Sequence, residues 1–209
     1  MLFFGHIGIT AGAAKACDIL LSMTKPGDSL NPNSSLKFDT TPYSKWMSFH
    51  ELLNGAEGQI NSIDYRLVLL GSLLPDIIDK PVWFLLGSDT SLSGRGYAHT
   101  LLFSLALLIG GLVLLRYRKS WLFILSLSSF MHLILDQIWN SPVILLWPLL
   151  GPLPSADTTG WLSGRFQGLF LYPEVYIPEI IGLLVVMLLT YRLVKGKRVT
   201  VFLKDGVVV

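Results

Sequence analysis

Three histidines and three aspartates stand inside otherwise apolar stretches of this chain: His6, Asp76, Asp79, His99, His132 and Asp136. Asp76 and Asp79 are spaced i, i+3, and His132 and Asp136 i, i+4. Each pair therefore shares one face of a helix. Imidazole nitrogens and carboxylate oxygens are the donors that hold Zn²⁺, Mn²⁺ or Fe²⁺. A lone Asp near the centre of a bilayer costs about 2.5–3.5 kcal/mol on insertion scales, and two neighbouring carboxylates repel. A divalent cation relieves both costs. Six donors suit one six-coordinate ion or two ions sharing carboxylates, with Zn²⁺ the first expectation and Mn²⁺ or Fe²⁺ the alternatives. Taken singly, each residue also has a structural reading: Asp79 could pair with Lys80, and His99 could cap a helix. Arg95, four residues before His99, suits an anion such as phosphate, because guanidinium binds it bidentately.

The elements that must position these donors are membrane helices. Of the 209 residues, 52% are hydrophobic and 14% charged, and the mean hydropathy is +0.58. Soluble domains carry about 25% charged residues. The expectation is all-α: a polytopic membrane bundle of about five helices forming one integral domain over 1–209. The apolar stretches are Leu2–Met23, Leu67–Leu86, Tyr97–Leu115, Trp121–Trp139 and Val175–Leu193. Lys15 and Asp18 interrupt the first. The Pro-rich "SPVILLWPLLGPLP" is too short to span and reads as re-entrant or interfacial. Residues 24–62 form a polar loop in which "WMSFHELLNG" suits a short interfacial helix, with His50 an ordinary side chain. Pro75 is expected to kink its helix and free a carbonyl. The lone Cys17 makes no internal disulfide, and the amino-terminal stretch lacks a basic n-region and is expected to be retained. A net charge of +2, scattered along the chain, gives no basis for nucleic-acid binding.

Lys and Arg set the orientation. "RYRK", "YRLVKGKR" and the cations Lys25, Lys37, Lys45 and Arg66 mark one side as cytoplasmic. Alternation then puts the amino terminus outside and residues 195–209 in the cytoplasm. All six donors fall in the outer half of the membrane or at its edge, although the orientation was derived without them.

The segments "GHIGITAG", "GSLLPDIIDKP", "RGYAHTLL" and "HLILDQIWNSPVILLWPLLG" resemble, in order and spacing, the YdjM-type family of membrane-bound metal-dependent hydrolases. The matching positions are His6, Asp76 with Asp79, Arg95 with His99, and His132 with Asp136, within about residues 5–150. Two departures stand out. An extra residue separates the carboxylates, with Lys80 after them, and Gly94 stands where many relatives carry a His. The resemblance implies a metal site with fewer His ligands and makes Asp76 a firmer match than Asp79.

A metal at the outer leaflet would activate water, and Asp79 or Asp136 could serve as general base if not a ligand. Arg95 would hold the anionic group. Arg165, Glu174 and Glu179 could shape the entrance, and Trp139, Trp147 and Trp161 suit an interfacial belt. The expected substrate is a membrane lipid or lipid-linked molecule cleaved at a phosphoester, or else at an ester. No Gly-x-Ser-x-Gly elbow occurs. A cation or proton transporter, or a scaffold with a purely structural metal, are the competing classes.

Overall fold

Leucine, isoleucine and phenylalanine dominate the apolar stretches, yet many of them face outward in the folded chain. A computed structural model describes residues 3–24, 63–86, 94–154 and 167–208. Within these lie five long helices: α1 (Phe3–Thr24), α2 (Tyr65–Leu86), α3 (Leu101–Arg116), α4 (Trp121–Leu135) and α5 (Pro173–Lys195). A short α6 (Val199–Asp205) follows. No strand occurs among the described residues, so the fold is all-α. The polar loop with its interfacial helix and His50, together with Trp161 and Arg165, lies outside the described residues.

The burial pattern is inverted relative to a soluble bundle. Leu102, Ile109, Leu184 and Leu188 are exposed, while Thr10, Ser72, Ser104, Ser126, Ser128 and Ser129 are buried. Ser72, Ser126 and Ser128 satisfy their hydroxyls on carbonyls three or four residues earlier in their own helices. Small interior residues let helices approach closely where lipid supplies no hydrophobic drive between them. α1 crosses α5 at Gly8 and Gly182, where a Cβ on either would collide with the opposite backbone. α2 packs on α4 and α1, and α3 on α4.

Five stretches were expected to span a membrane. Among the described residues, only α5 is long and apolar enough to do so by itself. α3 and α4 are apolar but have 16 and 15 residues, short of the roughly 20 a span needs. α1 and α2 have 22 residues each but carry charges within their length. These four helices do not meet the criterion on their own.

Two helix ends also differ from expectation. α4 stops at Leu135 rather than reaching Trp139, because Gln137 takes a left-handed conformation (φ 51°) before a 3₁₀ turn at Ile138–Asn140. α3 starts at Leu101. Tyr97–His99 is a 3₁₀ turn, and the Thr100 side chain caps α3 by accepting from the Phe103 N–H. The Pro-rich segment makes one short helical turn, Pro142–Leu145, and does not span. Its Ile144, with Ile138 and Leu153, closes around Leu133 in an apolar cluster beside the site. α2 stays helical through Pro75 and Pro81.

The carboxyl-terminal segment folds back onto the opposite end of the bundle. Arg66 donates to the carbonyls of Leu203 and Lys204, both at 2.9 Å, and the Tyr65 N–H donates to Gly206 O at 2.8 Å. Lys15 donates to Val208 O at 2.7 Å and pairs with Asp18, which accounts for the two charges inside α1. The hydrogen bond from Arg66 holds the Asp64 carboxyl below its ordinary range. That stabilisation is therefore present above the unfolded carboxylate pKa of about 3.9. It is lost as pH falls through the depressed value.

Gly206 has a positive φ of 72°, and a Cβ there would strike Asp64. Gly206→Ala is expected to release the tail at a cost of about 1 kcal/mol or more. Faster tryptic cleavage at Lys197 and Arg198 would report it; an unchanged cleavage rate would show that the latch contributes nothing.

Candidate metal centre

His99 is fully buried in its 3₁₀ turn, and Asp79 on α2 fixes it there. Asp79 Oδ2 accepts from His99 Nδ1 at 2.7 Å and from the Gly96 N–H at 2.8 Å. The N–H groups of Ala98 and His99 reach the same carboxylate at 3.0 and 3.2 Å. A carboxylate can only accept here, so Nδ1 carries the proton and Nε2 presents its lone pair.

His132, one turn before the end of α4, is held in the same way. Its Nδ1 lies 2.7 Å from the Ser72 carbonyl, which again only accepts. That carbonyl belongs to the turn of α2 just before Pro75.

The two Nε2 atoms therefore face each other at 3.3 Å in a buried position. Two lone pairs cannot be held in that way unless a cation, either a proton or a metal ion, lies between them. A third donor, Asp76, completes a group that could hold a metal ion. Asp76 Oδ1 is 3.7 Å from His99 Nε2 and 4.0 Å from His132 Nε2. The point equidistant from these three atoms is about 2.1 Å from each, the length of a Zn–N or Zn–O bond.

Asp136 caps the end of α4 and borders the same space. Its Oδ2 is 3.9 Å from His99 Nε2 and 2.8 Å from Arg95 Nη2, and its Oδ1 is 3.2 Å from His6 Nε2. The His6 ring stacks on His132 with centroids 4.0 Å apart. Two overlapping triads result, Asp76–His99–His132 and His6–His132–Asp136, and the donor atoms of each lie within 4.8 Å of one another. These buried His and Asp groups can hold a metal ion.

Five of the six expected ligands thus converge from α1, α2, the 3₁₀ turn and α4. Asp79 is the exception. Four donors engage its oxygens, so it stands behind His99 as a support instead of joining either triad. Lys80 pairs with Asp76 at 2.6 Å, not with Asp79. Arg95 lies at the rim with its Nε buried and without a partner, and His6 Nδ1 is likewise unpartnered. Glu174 is exposed. Glu179 was expected to shape the entrance; it is buried, and its carboxylate accepts the Phe4 N–H at 2.9 Å. It thereby anchors the first turn of α1, where free N–H groups and the helix dipole favour a negative partner. Trp147 packs edge-on against Tyr97 at 5.1 Å, while Trp139 is exposed.

Sequence reasoning missed the Ser72 carbonyl and the anchoring role of Glu179. Nothing local signals the former, because the N–H that Pro75 lacks would have bonded the Gly71 carbonyl, not that of Ser72.

A family model described as YdjM inner membrane protein matches residues 1–199. No curated protein and no solved structure matches the chain.

Proposed function

This chain belongs to the YdjM inner membrane protein family, and from that premise and the donor geometry we propose a membrane-embedded, metal-dependent hydrolase. Its substrate is a lipid or lipid-linked molecule, cleaved at a phosphoester or ester in the outer leaflet. The observation that carries the reading is the pair of Nε2 lone pairs at 3.3 Å with Asp76 Oδ1 beside them.

His99, His132 and Asp76 would hold one ion. His132 Nδ1 is committed to Ser72, so only its Nε2 is available, and one lone pair serves one ion. The two triads that share His132 therefore describe a single centre. Imidazole with carboxylate suits Zn²⁺ first, then Mn²⁺ or Fe²⁺. An ion held there supplies Lewis acidity toward a phosphoryl or acyl oxygen and acidifies water. With Asp79 occupied behind His99, the general base is Asp136, oriented by His6 and Arg95. Arg95 Nε, without a protein partner, donates to the substrate anion.

The tail contacts of Lys15 and Arg66 gather cations at the end of the bundle remote from the site. That distribution supports a cytoplasmic carboxyl terminus and an outward-facing site.

The test uses protein carrying its metal, reconstituted in bilayers with phosphatidic acid or with a diacylglycerol ester. Metal-dependent release of phosphate or fatty acid is expected, abolished by a chelator and restored by Zn²⁺. Arg95→Lys keeps the charge but loses the fork, and is expected to slow phosphoester turnover about 10–100-fold. Metal-replete protein that cleaves neither class would overturn the reading.

A further inference from the structure

We infer that the cavity between α1, α2 and α4 seats one hydrocarbon tail of the lipid whose polar group lies at the His/Asp centre. This rests on the hydrolase reading and deepens it by assigning the tail a place. The cavity measures about 350 Å³, and its walls are almost wholly apolar, formed by Ala14, Cys17, Val68, Phe123 and Leu127 among others. It lies next to the site along the helices that carry the donors. Thr10, on its wall, lies one turn beyond His6 on α1. Ser128, also on its wall, lies one turn before His132 on α4, and Val68 one turn before Ser72 on α2. Two helices thus lead from metal donors, and a third from the carbonyl that supports His132, toward the same apolar space. From Thr10 to Cys17 the α1 wall runs for roughly 10 Å.

Thr10 marks the junction. Its side chain is 3% exposed, and its Oγ1 has no hydrogen-bond partner. A helical threonine ordinarily satisfies its hydroxyl on a carbonyl of the preceding turn. This one is buried without a partner, on a residue of the cavity wall one turn from His6. A lipid has the matching sequence of groups: a charged head, then an ester oxygen that accepts, then a tail.

The outer rim is formed by Leu127 and Phe130, 46% and 42% exposed, so in a membrane the cavity is bordered by acyl chains. A tail moving from bilayer to cavity exchanges one hydrocarbon surrounding for another. The cavity therefore positions the scissile bond against the metal donors and adds little affinity.

The test uses wild-type protein in phosphatidylethanolamine–phosphatidylglycerol bilayers containing a little phosphatidic acid with a diazirine midway along one acyl chain. Adducts read by peptide mass spectrometry are expected on 13–17 and 123–127. They should saturate and be competed by unlabelled phosphatidic acid, while adducts on the outward-facing Met187 and Leu188 rise linearly. Groove adducts that are absent, or competed equally by phosphatidylcholine, overturn the inference; the latter would mark an ordinary surrounding lipid.

A second arm compares phosphatidic acid with a water-soluble short-chain phosphoester. Ala14→Trp, which fills the cavity, is expected to lower the long-to-short turnover ratio about tenfold; an unchanged ratio overturns the inference. Competed groove adducts without turnover of either ester by metal-loaded protein would remove the hydrolase reading and leave the tail site standing. Turnover of both esters with unselective labelling would do the reverse.

Discussion

Asp76→Asn and His132→Ala are each expected to purify with almost no bound metal, while the wild-type chain carries about one ion. The reason lies in the 3.3 Å separation of the two imidazole nitrogens and the position of Asp76 Oδ1 beside them. Removing His132 leaves one imidazole and a carboxylate already paired with Lys80, too few donors for a transition metal. Asp76→Asn keeps the shape of the side chain but removes the charge that balances the cation. Elemental analysis of detergent-purified protein measures this directly, with circular dichroism and gel filtration to show that each variant remains folded. Near-zero metal in all three proteins would remove the metal centre and the hydrolase proposal with it.

Asp79→Asn should behave differently, weakening metal affinity by about 10–100-fold rather than eliminating it. Asp79 supplies no atom to either triad, but it determines which nitrogen of His99 carries the proton. An asparagine can present its carbonyl oxygen to only some of the four donors that surround the carboxylate. If its amide turns toward Nδ1, the ring adopts the other tautomer and Nε2 no longer offers a lone pair. Competition with a chelator of known affinity gives the shift. A loss as complete as in Asp76→Asn would make Asp79 a direct ligand; wild-type affinity would show that the tautomer is set elsewhere.

Much of this centre is legible in the sequence because intramembrane His and Asp are costly, and their spacing shows which share a face. His132 with Asp136, and Asp76 as a donor, follow from that reasoning. The five long helices follow from apolar runs bounded by Pro, Gly and charge. Other features depend on contacts between distant positions. Nothing near Asp79 distinguishes a ligand from the partner of a ligand, since both roles require a buried carboxylate. Ser72 contributes through its backbone, which residue identity does not specify. The fold-back of Gly206 and Val208 is likewise made of carbonyl groups, so Lys15 and Asp18 read as flaws in a span until the tail is in place.

The hydrogen bond from Phe4 to Glu179 has a consequence for the order of assembly. His6 is made before the helix that anchors its own, because Glu179 lies on α5 and follows all the intervening helices in the chain. The interlocking glycines of the same two helices impose the same delay. The contacts that fix the turn carrying His6 are therefore complete only when the fifth helix has joined the first.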